Sequence, residues 1–216
     1  MNYGTTHGVL KPLAEVTLPD PRFENEVLRS KNGERPMELA DLHQRLSAWP
    51  LSSTVPERVR VQFETAKNLM LYAWFVFEFQ TVAEMQAYAA LELGLRERLG
   101  SPTRTIPTKR GPKVVPLMLA DLFSKAVNEG LIFPEKLPSW EWVNSRREWF
   151  AKEHGILSLP LSASEWLQTI RDKLPDFRNY LAHGNPKLWL PHSFSQLELC
   201  GDLINQLFPE TKGPSG

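Results

Sequence analysis

The chain has little cysteine and no long apolar run. Cys200 is the only cysteine among 216 residues, so no disulfide can form within the chain, which is typical of a protein in a reducing cytoplasm. The longest apolar run covers residues 69–77, whereas a helix that crosses a membrane needs roughly 20 residues. The first residues show no basic segment followed by an apolar core, so no signal peptide is expected. These features predict a cytoplasmic protein with no membrane partner.

An excess of charge of one sign is also missing. Lys and Arg together number 25, as do Asp and Glu, and the formal net charge is zero. A neutral chain lacks the overall attraction of a bulk nucleic-acid binder, although a local basic face can still bind phosphates. The hydrophobic fraction of 42% and the seven Trp residues indicate a packed protein and not a disordered one.

The common catalytic and ligand-binding motifs are absent from the sequence. The five histidines are scattered, and neither an H-E-x-x-H motif nor a Cys/His cluster occurs. There is no glycine-rich phosphate loop, no dinucleotide-binding glycine pattern and no G-x-S-x-G elbow for a serine nucleophile. We therefore expect no metal and no cofactor. The histidines are His7, His43, His154, His183 and His192.

Hydrophobic periodicity predicts an all-α fold, because it is helical wherever it is clear and no segment alternates with period two. Residues 1–55 are expected to form an irregular arm with an extra short helix near residues 37–48, and residues 56–216 a helical bundle. Residues 57–99 contain no proline and would form one long helix. The Thr81-x-x-Glu84 pattern is typical of a capping box, so we expect a break near Gln80.

The second half of the chain predicts four more helices. Two of them cover residues 116–129 and 139–154, each followed by a glycine. A third begins at a Ser162-x-x-Glu165 capping box and is bent or broken at Pro175. The last begins at Ser193 with Gln196, and one of its faces is apolar. The residues of that face are Leu197, Cys200, Ile204 and Leu207.

The segment "RNYLAHG" contains the strongest candidate for chemistry. Arg178 and His183 are five positions apart, so they would not share a face of a continuous helix. Gly184 and Asn185-Pro186 favour a helix end there, which lets the two side chains converge. A guanidinium binds phosphate oxygens in a bidentate fork, and a histidine with its usual pKa of about 6.5 exchanges protons near neutral pH. The alternative is a surface Arg and a His that caps the helix.

This segment resembles the motif of the HEPN superfamily, helical bundles found in RNA-cleaving toxins, phage-defence proteins and CRISPR effector nucleases. The family signature is an Arg, four to six intervening residues and a His, often with Asn directly after the Arg. Here Arg178 is followed by Asn179, and four residues separate Arg178 from His183. The resemblance covers roughly residues 56–208.

The resemblance implies a metal-independent endoribonuclease that acts on single-stranded RNA as a homodimer, with Arg178, Asn179 and His183 as catalytic residues. Such enzymes leave 2′,3′-cyclic phosphate and 5′-hydroxyl ends. An antitoxin or another regulatory protein is an implied partner. Toxins silenced by a nucleotidyltransferase carry a Tyr two places after the His, whereas this chain has Asn185. Many members of the superfamily are not enzymes, so a non-catalytic dimerisation or interaction module is the alternative.

Three further features each have two interpretations. Glu92 is a candidate supporting acid, or it forms an ordinary pair with Arg96 one turn later. Residues 100–113 contain four cations and no acid, and form either an RNA-binding segment or a solvated loop. The four cations are Arg104, Lys109, Arg110 and Lys113. The Trp-rich residues 139–150 either stack on bases or pack in a core or dimer interface, with Trp142, Val143 and Phe150 on one face.

A second Arg and His with a permitted spacing, here called the decoy pair, test how specific the motif is. Arg147 and His154 also have a permitted spacing, with six residues between them, but no Asn follows Arg147. We expect these two residues to lie on an exposed face of the helix formed by residues 139–154 and to have no catalytic role.

Overall fold

The computed structural model describes residues 10–23, 26–30, 33–157, 162–182 and 190–210. Within these residues the chain forms seven α-helices and two antiparallel β-hairpins. The helices are α1 (Leu39–Ser47), α2 (Glu57–Tyr72), α3 (Phe79–Leu99), α4 (Leu119–Asn128), α5 (Pro138–His154), α6 (Ala163–Ala182) and α7 (Leu190–Leu207). The strands are β1 (Val27–Ser30), β2 (Gly33–Pro36), β3 (Thr103–Thr108) and β4 (Gly111–Pro116). The mostly helical character is confirmed, and the expectation that no strand would form is wrong.

Helix α3 lies at the centre of the fold, where it packs against α2 on one side and α7 on another. Small residues on α3, among them Ala87 and Gly94, allow these helices to approach closely. The apolar face expected on the last helix is confirmed, because all four of its side chains are fully buried. The core is therefore a three-helix layer of α2, α3 and α7, with α4 and α6 packed against α3.

The expected break near Gln80 is confirmed, because α2 ends at Tyr72 and α3 begins at Phe79. Its expected cause is wrong: Thr81 lies inside the first turn of α3, and no side chain caps this helix. The corner between the helices is packed against the N-terminal arm. The ring of Phe23 lies 4.9 Å from Trp74 and 5.4 Å from Phe77, measured between centroids.

The N-terminal arm has more order than its composition predicts. Arg22 forms an ion pair with Asp20 at 2.8 Å and another with Glu78 at 2.8 Å. Its guanidinium also lies 4.2 Å above the ring of Phe77. The surrounding anions raise the pKa of Arg22 despite its partial burial. These contacts attach the arm to the α2–α3 corner. The expected short helix is α1, whose Leu42 and Leu46 are buried.

The segment interpreted as a loop at residues 100–113 belongs to a hairpin formed by β3 and β4. Thr103 pairs with Pro116, Ile106 with Lys113, and Thr108 with Gly111. β-branched residues favour strands, but Pro107 and Pro112 interrupt the pattern, and prolines in a short run are more typical of a loop. The two prolines face each other across the hairpin. Proline is tolerated there because an edge strand does not need every N–H group.

Helix α6 continues from Ala163 to Ala182 and is therefore not broken at Pro175. A proline removes only one backbone donor from a helix. The turns before Pro175 are held by the buried Trp166, whose ring meets Trp140 edge to face with centroids 6.0 Å apart. The expected break is therefore wrong, whereas the alternative, a bend at Pro175, stays a prediction.

Candidate functional site

The start of α6 is determined by the capping box that the sequence predicts. The backbone N–H of Ser162 donates to Glu165 Oε2 at 2.9 Å, and the N–H of Glu165 donates to Ser162 Oγ at 3.2 Å. The hydroxyl and the backbone N–H of Ser162 both donate to the carboxylate of Glu165, and these two hydrogen bonds lower its pKa. The capping box is confirmed. Together with Trp166 it anchors the helix that carries the first half of the candidate motif.

Arg178 and Asn179 lie in the last turns of α6, and the structure describes only their backbone. His183 lies outside the described residues, in the link of residues 183–189 between α6 and α7. Whether the side chains of Arg178 and His183 meet therefore stays a prediction. The described residues do establish the contacts that α7 makes shortly after this link.

The first turns of α7, which follow the link, are hydrogen-bonded to α3. Ser193 is 1% exposed, and its hydroxyl donates to a carboxylate oxygen of Glu84, which is 5% exposed. One turn further, the hydroxyl of Tyr88 donates to Gln196 Oε1 at 2.7 Å. Burial raises the pKa of Tyr88, so this hydroxyl stays a donor. The position of α7 after the motif is thus set by polar contacts with α3.

Two expected capping pairs are corrected by these contacts. Thr81 with Glu84 and Ser193 with Gln196 were each expected to open a helix, but α3 and α7 begin earlier, at Phe79 and Leu190. Glu84, Ser193 and Gln196 instead form hydrogen bonds between the two helices. A local pattern of polar residues cannot distinguish the two uses, because a buried hydrogen bond and a cap require the same side chains.

Unpaired polar groups lie beside this contact. Gln80 is completely buried, and neither its amide nitrogen nor its amide oxygen has a hydrogen-bond partner among the described residues. The same holds for the hydroxyl of Thr81. Gln80 is one helical turn from Glu84 and so lies on the same side of α3. An unpaired buried polar group costs about 1–3 kcal/mol, so these groups are expected to have a partner or a function.

Glu84 is a residue of functional interest, although the Thr81-x-x-Glu84 pattern predicted only a helix cap for it. The signal that identifies it is its position in the buried face of α3, where a carboxylate occupies a place expected to be apolar. Buried carboxylates require partners, and such places are often functional. The other buried positions on α3 are Gln80, Ala83, Ala87, Tyr88, Ala90, Leu91, Gly94 and Leu95.

A second partly buried carboxylate lies on α7. One oxygen of Asp202, Oδ2, has no hydrogen-bond partner in the described part of the chain. Burial, together with the negative charge of Glu198 one turn away, raises the pKa of Asp202 to about 6. The folded state therefore holds this proton more tightly than the unfolded state, where an aspartate has a pKa of about 3.9.

Asp202→Asn is expected to stabilise the fold at neutral pH. Because the folded pKa is raised, the contribution of Asp202 favours folding at low pH and is lost as the pH rises through about 6. The difference in melting temperature between variant and wild type should be small near pH 4 and should grow up to about pH 7. Thermal unfolding across this range measures it, and Glu198→Gln should reduce the same slope. A difference that does not change with pH would contradict the assignment.

Glu92 forms the intrahelical ion pair that was one of its two interpretations. Arg96 Nη2 lies 2.6 Å from Glu92 Oε1, and the same nitrogen donates to the backbone oxygen of Leu117 at 2.8 Å. The pair therefore connects α3 to the segment before α4. A supporting role for Glu92 in catalysis stays a prediction.

The four cations assigned to the basic segment are not equivalent. Arg104 Nη1 forms an ion pair with Asp121 of α4 at 2.9 Å, at the base of the β3–β4 hairpin. Lys109, Arg110 and Lys113 are exposed and have no ion pair with any described residue. Three of the four cations are therefore available to a ligand.

The decoy pair lies on an exposed part of α5. Arg147 and His154 are both exposed. The ring of His154 stacks on Phe150 with centroids 4.0 Å apart, and its Nδ1 lies 2.9 Å from the backbone oxygen of Phe150. Phe150 is 49% exposed and is not part of the core. The side chains of Trp142 and Val143 lie outside the described part of the structure.

Other types of site find little support in the described residues. Cys200 is fully buried, and burial raises the pKa of its thiol, which disfavours the reactive thiolate. No group of three or more potential metal ligands occurs in the described parts of the chain. None of the helices, as far as they are described, has the length and apolar character needed to cross a bilayer.

Comparison of the chain with protein-family models, with curated proteins and with solved structures finds no match.

Proposed function

We propose that this protein is a metal-independent endoribonuclease of the toxin or phage-defence type that cleaves single-stranded RNA. The observation that supports it most is the sequence Arg178-Asn179-x3-His183, which begins in the last turns of an anchored helix. The link after this helix leads to α7, whose first turns are hydrogen-bonded to the buried Glu84. His183 precedes Ser193, the partner of Glu84, by ten positions along the chain.

The proposed chemistry is an internal phosphoryl transfer. The 2′-hydroxyl attacks the adjacent phosphorus, its proton passes to a base, and the bond from phosphorus to the 5′-oxygen breaks while that oxygen takes up a proton. His183 serves as the general base or the general acid in this step. Arg178 stabilises the negative charge that develops on the phosphoryl oxygens, and Asn179 orients the reacting groups. The products have 2′,3′-cyclic phosphate and 5′-hydroxyl ends.

The proposed assembly is a homodimer. An isologous interface brings the same surface together twice, so two copies of a short motif can form one cleft. In this arrangement Arg178 and His183 of both subunits surround the same phosphate. An antitoxin or other regulatory protein would act by covering that cleft.

Incubation of the purified protein with single-stranded RNA in EDTA tests the proposed activity. We expect cleavage, with 5′ ends that a kinase labels directly and 3′ ends that ligate only after the cyclic phosphate is removed. The matched control is DNA of the same sequence, which lacks the attacking 2′-hydroxyl and should remain intact. Cleavage of both nucleic acids, or of neither under any condition, would contradict the proposal.

The alternative is a non-catalytic dimerisation or interaction module, and one observation favours it. Four large apolar side chains at and just after the end of α5 are exposed, which is typical of a surface that binds another protein. Light scattering at micromolar concentration tests for the dimer that both functions share, whereas only the enzyme cleaves RNA. The exposed residues are Trp149, Phe150, Ile156 and Leu157, at 61%, 49%, 56% and 87%.

A further inference from the structure

The β3–β4 hairpin, residues 103–116, projects from the helical fold. Nearly all of its residues are exposed on both faces, and only Ile106, Gly111 and Val115 are half-buried. Within the described part of the chain, no helix packs along either strand. An exposed hairpin of this kind contributes little to the core, so its sequence is available for binding.

The outer part of the hairpin is positively charged. Residues 100–116 contain no acidic residue, and Arg104 at the base is neutralised by Asp121. Lys109 and Arg110 occupy the turn, and Lys113 follows on β4. The chain as a whole has no net charge, so these three unpaired cations form a local basic surface on a neutral protein. Such a surface attracts polyanions through short-range contacts.

The edges of the hairpin do not favour an added protein strand. In an antiparallel pair, alternate residues direct their backbone groups outward, and proline has no N–H to donate. Pro107 faces Pro112, and Thr103 faces Pro116. The two pairs are four positions apart along each strand, so the backbone groups of all four residues point outward, away from the partner strand. Two of the three outward positions on β4 are thus prolines. A peptide that binds by extending the sheet would lose these hydrogen bonds, so side-chain contacts are favoured.

A groove with a mixed polar and apolar lining leads from the base of the hairpin toward α6. One section, of about 400 Å³, is lined by Arg104 and Lys125, which form ion pairs with two acids of the same lining, Asp121 and Glu129 respectively. A second section, of about 240 Å³, shares Ser124 and Asn128 with the first and reaches Arg171 on α6. Arg178 follows Arg171 by seven positions, which is two helical turns, or about 10 Å along the axis.

We propose that Lys109, Arg110 and Lys113 bind the phosphates of a single RNA strand that continues along the α4–α6 groove toward Arg178. Lys113 lies on the same face of the hairpin as Arg104, because their cross-strand pairs are two residues apart, and Arg104 reaches α4. The basic surface and the groove are therefore contiguous. This inference rests on the proposed function for the identity of the polyanion. It assigns to the hairpin the binding of substrate and to the motif its cleavage.

Salt-dependent binding of RNA tests the proposal. The protein carries His183→Ala so that a labelled single-stranded oligoribonucleotide stays intact, and fluorescence anisotropy gives its affinity over a series of salt concentrations. Each phosphate contact to a single strand contributes about 0.7 to the slope of log K against log salt concentration. Replacing Lys109, Arg110 and Lys113 by Gln should therefore reduce the slope by about 2 and weaken binding for RNAs of every sequence.

The matched control removes the same charge elsewhere. Arg60, Arg147 and Lys152 are exposed and form no ion pair with any described residue, so their replacement by Gln lowers the net charge equally. This variant should retain the wild-type slope. Both triple variants should melt like the parent protein, because all six side chains are exposed and substitutions at such positions usually have little effect on stability.

The other possible results contradict either the proposed binding of RNA by the hairpin or the proposed cleavage of RNA. Equal slopes for the hairpin variant and the control variant would overturn the proposal, as would tighter binding of poly-glutamate than of RNA at the same salt concentration, which would indicate an acidic protein partner. Hairpin-dependent binding without any cleavage by the wild type would remove the nuclease proposal and leave the binding surface. Cleavage by the wild type, together with RNA binding that does not depend on the hairpin, would leave the nuclease proposal and remove the binding surface.

Discussion

His183→Ala should reduce RNA cleavage in EDTA by a factor of about 10²–10⁴, because a positioned general acid or base contributes an effect of this size. Dimer formation and the affinity for RNA should not change, since the substitution removes a proton-transfer group and leaves the cations of the hairpin in place. Single-turnover cleavage measures the chemical step, and anisotropy measures binding. A variant that cleaves as fast as the wild type would remove the nuclease proposal.

The decoy residues provide the matched control for this prediction. His154→Ala and Arg147→Ala change the same residue types at a similar spacing, but on an exposed part of α5. His154 contacts only its own helix, through Phe150, in the contacts described for it. Both variants should cleave at the wild-type rate. If His154→Ala is as damaging as His183→Ala, the assignment of the catalytic pair is wrong.

Arg178→Lys separates charge from geometry at the same site. Lysine keeps the positive charge but cannot form the bidentate fork of a guanidinium. Under the nuclease proposal this variant should therefore still lose activity. Under the alternative, in which Arg178 only braces the helix end, there is no cleavage to lose and the variant should affect stability alone.

The helices were the most predictable part of the fold because their signals are local. The capping box at Ser162 and Glu165, the left-handed glycines Gly130 and Gly155, and the apolar face of the last helix all depend on residues within a few turns of one another. The β3–β4 hairpin could not be predicted in the same way. Its prolines are acceptable only because each lies on an exposed edge, and exposure is a property of the whole fold.

The candidate site was predictable only in part for a related reason. Arg178, Asn179 and His183 are close in sequence, so a motif can identify them. Glu84 and Ser193 are 109 positions apart and meet only because α3 and α7 pack together. The sequence showed a polar residue at each place but not its partner. The ion pair of Arg104 with Asp121 was equally invisible, so the sequence offered four candidate cations for RNA binding, and three of them have no ion pair with any described residue.

Phe63→Ala should lower the free energy of unfolding by about 3–5 kcal/mol, the usual cost of removing a buried phenylalanine ring. Phe63 on α2 is completely buried, and its ring lies against Gly201 of α7. The loss is a large share of the roughly 5–15 kcal/mol that stabilises a typical domain. Chemical denaturation measures it. Val61→Ala on the same helix is the control, because Val61 is 57% exposed and its loss should cost less than about 0.5 kcal/mol.

Substitution of Gly201 tests whether the packing of the Phe63 ring against α7 is the origin of this loss of stability. A Cβ atom at Gly201 would lie 2.8 Å from Cζ of Phe63, so the ring occupies the space that a side chain would need. Gly201→Ala should therefore destabilise the wild type by about 1–3 kcal/mol, the usual cost of overpacking. In the Phe63→Ala background the clash is gone, and the higher helix propensity of alanine should make the same substitution stabilising by up to about 1 kcal/mol. Because α7 also carries Ser193, the close approach of α2 and α7 helps to hold the helix that follows the motif. If Gly201→Ala changes the free energy of unfolding in the same direction in both backgrounds, Phe63 does not determine this approach of the two helices.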